Sequence, residues 1–176
     1  MKMPRRIAGW LLLIAGLVAL TGCHRFIIPS GAPSSNVALK SYHNRYVIAQ
    51  GEAQGWSLRQ SSARGDDDCG WFTRYDLGQD RLGNARIALG TCYGRFVTAP
   101  RRGSTRQDWE VWQESGLGDC GQFTLERRGD GFALKTCAGK YLTAGDAGWE
   151  SPLQWGVVAE TDKILDWEIF TILPQR

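Results

Sequence analysis

The chain has 176 residues, 43% hydrophobic and 22% charged, with 22 Gly, 8 Trp and a formal net charge of +3. That length allows one domain with a tail, and that hydrophobic share excludes a disordered chain. The charge excess is Lys2, Arg5 and Arg6 alone. From Cys23 onward 18 Lys+Arg face 18 Asp+Glu, which disfavours a nucleic-acid binder working by phosphate neutralisation.

Residues 1–6 are basic, and residues 7–20 (IAGWLLLIAGLVAL) carry no charge. A bilayer-spanning helix takes about 20 apolar residues, so this shorter run reads as a secretory signal over residues 1–22. Leu20-Thr21-Gly22-Cys23 resembles a bacterial lipobox. The resemblance implies cleavage before Cys23 and acylation of its thiol and new amino group. Several acyl chains would hold the protein stably, where one is marginal. A plain signal peptide with an incidental Cys, or a buried core helix, is the alternative. His24, not Asp, follows Cys23. In the sorting pattern this resembles, that implies an outer-membrane lipoprotein. Residues 23–36 are rich in Pro, Ser and Gly and read as a tether between lipid and domain.

From residue 37 one pattern is written three times. Residues 37–49, 87–99 and 132–144 align without gaps as apolar-Ala-Leu, four variable positions, Gly or Asn, a cation, an aromatic, an apolar residue, and Ala two further on. Trp56, Trp109 and Trp155 recur in the middle of each copy. Asp68, Asp119 and Asp166 recur later, each followed four residues on by Phe72, Phe123 or Phe170. The copies span residues 37–86, 87–131 and 132–176.

Each copy reads as four strands. The first two form a tight hairpin whose turn carries Asn44, Gly94 or Gly139, residues that accept positive φ. The third is expected to alternate, with Trp56/Leu58, Trp109/Val111 and Trp155/Val157 sharing one face. The fourth carries the recurrent Phe. Three such units make an all-β chain of twelve strands, the arrangement of a β-trefoil, in which a six-stranded barrel is closed by three hairpins. The motif Leu134 to Ala144, followed by Trp167 to Thr171, resembles the fascin-like (actin-crosslinking-type) trefoils over residues 37–175. Gln54-Gly55-Trp56 and Gln107-Asp108-Trp109 formally match the Gln-x-Trp signature of ricin-type trefoils, but fall at the third strand rather than near the end of a repeat.

Four cysteines follow Cys23, and in an exported chain an even number suggests disulfides, with three possible connectivities. Four buried free thiols are the alternative. In a trefoil the last strand of one repeat pairs with the first strand of the next, which implies Cys69–Cys92 and Cys120–Cys137. The third such site would hold Trp167 and Tyr42. Both members are aromatic where the other seams have Cys, so the two positions change together.

Neither His24 nor His43 is placed as a general base held by a carboxylate, and no nucleophile-elbow, phosphate-loop or zinc-protease motif occurs. No metal and no cofactor is expected. Asp66, Asp67 and Asp68 raise a calcium reading, but Asp68 recurs at each equivalent position and reads as a turn residue. The expectation is therefore a protein without catalytic residues. Candidate ligand contacts are the features that break the threefold pattern. Trp112 is expected on the outward face of its strand, Trp71 outward on the fourth strand, and Trp149 in a Gly-rich loop. Arg101, Arg102 and Arg106 form a basic loop. An exposed Trp stacks on sugars or anchors a protein contact; each of these also fits a side chain packed under a loop. The functional expectation is a lipid-anchored envelope module binding a protein or glycan and no nucleic acid. The alternatives are an accessory lipoprotein docking on an envelope complex, or a protease inhibitor presenting loop 101–108.

Overall fold

The structure, a computed structural model, describes residue 28 and residues 31–64, 69–100, 109–146 and 155–175. The signal segment, Cys23, the Asp66–Asp68 run, Trp149 and the Arg101, Arg102 and Arg106 loop lie outside the described residues.

The chain forms twelve strands in three sets of four. The first set is β1 (Ser34–Ser41), β2 (Tyr46–Ala49), β3 (Leu58–Ser61) and β4 (Phe72–Gln79). The second is β5 (Ala85–Gly90), β6 (Phe96–Thr98), β7 (Trp112–Glu114) and β8 (Gln122–Arg128). The third is β9 (Gly131–Lys135), β10 (Tyr141–Ala144), β11 (Val157–Thr161) and β12 (Phe170–Pro174). The first and fourth strands of each set close a ring by antiparallel pairing: β1 with β4, β4 with β5, β5 with β8, β8 with β9, β9 with β12, and β12 back to β1. This is the six-stranded barrel of a β-trefoil. Closing the ring also removes exposed sheet edges.

The remaining strands make three hairpins: β2 with β3, β6 with β7, and β10 with β11. They meet in a triangle through bridges Ser57 to Trp112, Glu110 to Val158, and Gly156 to Arg59. Each bridge joins the same two positions of successive repeats, so the triangle has the threefold symmetry of the sequence.

The core is the repeat projected inward. Phe72, Phe123 and Phe170 are fully buried, as are Leu39, Leu89 and Leu134 and the Val47, Val97 and Leu142 set. The hairpin turns take the expected conformation, with Asn44 at φ 61°, Gly94 at 67° and Gly139 at 79°. Each is closed by one equivalent bond: Ser41 N–H to the Arg45 carbonyl at 2.8 Å, Thr91 to Arg95 at 2.8 Å, and Thr136 to Lys140 at 2.7 Å. Asp119 and Asp166 each open a short 3-10 turn, Asp119–Gly121 and Asp166–Glu168, that leads into the fourth strand. Gly70 is required where it stands, because the Arg64 carbonyl occupies the place of a Cβ.

Two kinds of boundary and one side chain differ from the sequence reading. β1 begins at Ser34, so residues 34–36 belong to the barrel, where they pair with Tyr75, Arg74 and Thr73, rather than to the tether. The third strands begin at Leu58, Trp112 and Val157, so Trp56, Trp109 and Trp155 precede them. Trp112 is a corrected case. It is only 8% exposed, because its strand position bridges into the hairpin triangle instead of facing solvent.

The disulfides Cys69–Cys92 and Cys120–Cys137 are formed, with Cα–Cα separations of 5.1 and 4.9 Å. Each ties the approach to one repeat's fourth strand to the next repeat's first hairpin turn. At the third seam the Trp167 ring lies 5.4 Å from the His43 ring, while the expected partner Tyr42 stands 59% exposed beside it.

Two buried glutamines at equivalent third-strand positions make contrasting networks. Gln60 donates to the Gly145 carbonyl at 2.6 Å and accepts from the Ser41 hydroxyl at 2.6 Å. Gln113 donates to the Gln50 carbonyl at 2.7 Å, but its Oε1 and the Thr91 hydroxyl, the equivalent of Ser41, are buried with no hydrogen-bond partner among the described residues. Gln60→Ala strips partners from both ends of its network. It is expected to cost about 2–3 kcal/mol, and Gln113→Ala about 1 kcal/mol less, in urea denaturation. Equal costs would mean that Thr91 and Gln113 bond in solution.

Candidate site on the hairpin triangle

The half-exposed aromatics gather where one repeat's hairpin turn meets the preceding repeat's approach to its third strand. In the first instance Gly51 opens a 3-10 turn, Glu52–Gln54, closed by Gly55 at φ 67°. The next residue, Trp56, also adopts positive φ, 61°. A bulky side chain in that region costs about 1–2 kcal/mol. The Arg95 guanidinium lies 3.8 Å from the centre of the Trp56 ring, and Tyr93 meets its edge at 5.5 Å.

The threefold-related instance joins the third repeat to the first. Trp155 has φ 60°. The Arg45 guanidinium lies 3.7 Å from its ring centre, and His43 meets it edge-on at 5.8 Å. His43 Nε2 is 3.0 Å from the Ala144 carbonyl, an acceptor, so this nitrogen donates. Tyr42, 5.7 Å from His43, and Trp167 extend the cluster. The third position holds Trp109, Ala138 and Lys140, and so lacks both the turn aromatic and the guanidinium.

The strained Trp is what alternation along a strand cannot reveal. Period-two reading places Trp56 and Trp155 on the inward face with Leu58 and Val157. The left-handed backbone instead turns them toward the neighbouring repeat, where they are half-buried. The missed signal was the recurrent cation, Arg45, Arg95 or Lys140, one repeat ahead of each Trp. A guanidinium over an indole face is worth about 0.5–2 kcal/mol, which offsets the backbone strain.

Of the sequence candidates, Trp71 is half-buried, with the Arg64 guanidinium 4.4 Å from its ring. Trp112 donates through its indole N–H to Glu114 at 3.1 Å and is covered. Among the described residues, neither ring stacks on Trp56 or Trp155. Among the described residues no group of three or more His, Cys, Asp or Glu side chains is placed to hold a metal ion.

No protein-family model matches the chain, and no curated protein sequence does either. Solved structures share its fold. The designed threefold-symmetric protein ThreeFoil superposes with a TM-score of 0.61 at 19% identity, over 78% of this chain and 97% of that one. A Polyporus squamosus lectin, bound to the human-type influenza-binding epitope Neu5Acα2-6Galβ1-4GlcNAc, gives 0.59 at 14% identity, over 78% of this chain and 48% of that one. A GlcNAcα1-4Gal-releasing endo-β-galactosidase from Clostridium perfringens gives 0.58 at 6% identity, over 81% and 33%. This chain thus spans about half the lectin and a third of the glycosidase, and likeness at these identities concerns the fold alone.

Proposed function

We propose that this protein is a non-catalytic binding module, held at the outer membrane by lipid on Cys23 and recognising a protein or a glycan. One observation carries the reading: the two ends of the barrel differ. The chain entering at Ser34, the β4–β5 and β8–β9 turns and the chain end after β12 all lie at one mouth, because the strands of the closed ring run antiparallel. A tether from Cys23 joins the domain there. The hairpin triangle, with Tyr93 43% exposed and Tyr42 more so, lies at the other end and would face away from the anchoring surface. Aromatics presented that way suit stacking on sugars or anchoring a protein. The lectin among the solved structures of like fold supports the glycan option.

The test has two arms. Labelled palmitate should enter the wild-type protein and not Cys23→Ala, and the variant should leave the membrane fraction. Unchanged fractionation would remove the anchor from the reading. Crosslinking from intact envelopes, run beside a glycan array, should return glycan hits or a stoichiometric protein. Silence in both would overturn the binding role.

A further inference from the structure

We infer that the two Trp–Arg clusters at the triangle's edge are equivalent binding sites for anionic sugars. The inference rests on the binding-module reading above and names its ligand chemistry.

Three observations converge. First, Trp56 and Trp155 both sit at positive φ, where glycine is the unstrained residue. Strain kept twice at half-exposed positions points to a functional demand on the side chain. Second, Arg95 and Arg45 each lie over an indole face, and among the described residues neither guanidinium has a carboxylate partner. Stacking uses the guanidinium face and leaves the in-plane N–H fork available, and that fork matches a carboxylate or phosphate in two-point geometry. Third, an aromatic ring flanks each cluster, Tyr93 at the first and His43 with exposed Tyr42 at the second. Aromatic faces suit the C–H faces of pyranose rings, while the fork selects their charge. The remaining equivalent position pairs Trp109 with Ala138 and Lys140. It lacks the fork and the flanking ring, so two sites are expected, not three.

The experiment titrates the lipid-free mature chain with a carboxylated probe, oligogalacturonate, and with its methyl ester, which has the same sugar skeleton without charge. A phosphorylated mannose oligosaccharide tests phosphate as the source of the same anionic chemistry. Intrinsic Trp fluorescence and calorimetry give affinity and stoichiometry. At least one anionic probe should bind with two sites, and for oligogalacturonate the methyl ester should bind at least tenfold more weakly. Arg95→Ala and Arg45→Ala should each remove one site, and the double variant should lose binding at least tenfold with unchanged circular dichroism. Arg95→Lys should restore charge but not full affinity, because the fork is gone. Trp56→Gly relieves backbone strain, so a folded Trp56→Gly variant that has lost the first site separates ligand contact from fold maintenance. Equal binding of acid and ester, or anionic binding indifferent to both arginines, would overturn the inference. So would failure of both anionic probes at millimolar concentration. A neutral-glycan or protein hit in the array and crosslinking arms would leave the broader reading standing in each of those cases.

Discussion

Replacing Cys69, Cys92, Cys120 and Cys137 together with alanine is expected to destabilise the domain by about 6 kcal/mol. Each bridge closes a short loop, with sequence separations of 23 and 17 residues, and loops of that size are worth about 3 kcal/mol in the chain-entropy model. The loops are consecutive rather than nested, so the two contributions should add. A domain of this size has about 5–15 kcal/mol in total, so loss of both bridges leaves it near or below half. Urea unfolding with and without reductant measures the effect. The four thiols of denatured, unreduced protein should all be unreactive. Free thiols in that assay, or a midpoint indifferent to reductant, would remove the bridges from the stability account.

The bridges also show why so much of this fold is legible in one sequence. A threefold chain carries its own comparison. Repeated Phe and Leu positions, such as Phe72, Phe123 and Phe170, belong to the shared core, and positions that change in pairs belong to one seam. Cys69 with Cys92 and Cys120 with Cys137 occupy two seams, and at the third the aromatics Trp167 and Tyr42 replace both members together. The structure keeps that seam aromatic but sets His43 against Trp167, one residue from the expected partner. Tight turns rotate side chains rapidly along the chain, so a repeat defines the seam more reliably than the individual contact.

The candidate site was less legible, for two physical reasons. Alternation tells the inward face from the outward one, but a trefoil covers part of the outward face with the next repeat. Outward strand phase made Trp112 a candidate contact, with packing under a loop as the alternative, and it is the packed arrangement, at the hairpin triangle, that forms. Backbone handedness is also invisible to period-two patterning. Trp56 and Trp155 look like the first inward residues of strands, yet both are left-handed turn residues that reach across a repeat boundary to Arg95 and Arg45. Their meaning lies in pairs about 40 residues apart or more, brought together only by ring closure.

Ring closure also determines how the core responds to a cavity. Phe72, Phe123 and Phe170 occupy one environment three times and are each 0% exposed. Truncation of a buried Phe to Ala costs about 3–5 kcal/mol, and the spread reflects how far the surroundings collapse into the void. Phe72 and Phe123 lie three residues after a bridged cysteine, Cys69 and Cys120. Covalent ties hold those seams open and preserve the cavity. Phe170 lies three residues after Trp167, at the seam held by ring contact, which can slide. Phe123→Ala and Phe72→Ala should therefore fall near the top of that range, and Phe170→Ala near the bottom. Denaturant midpoints at unchanged m-value read the difference. If Phe170→Ala proved the costliest, the aromatic seam would be as rigid as the covalent ones. Repeating the series under reducing conditions, if the reduced variants still unfold cooperatively, then isolates the cause. With the bridges open the three costs should converge, because only the covalent ties distinguish otherwise equivalent sites.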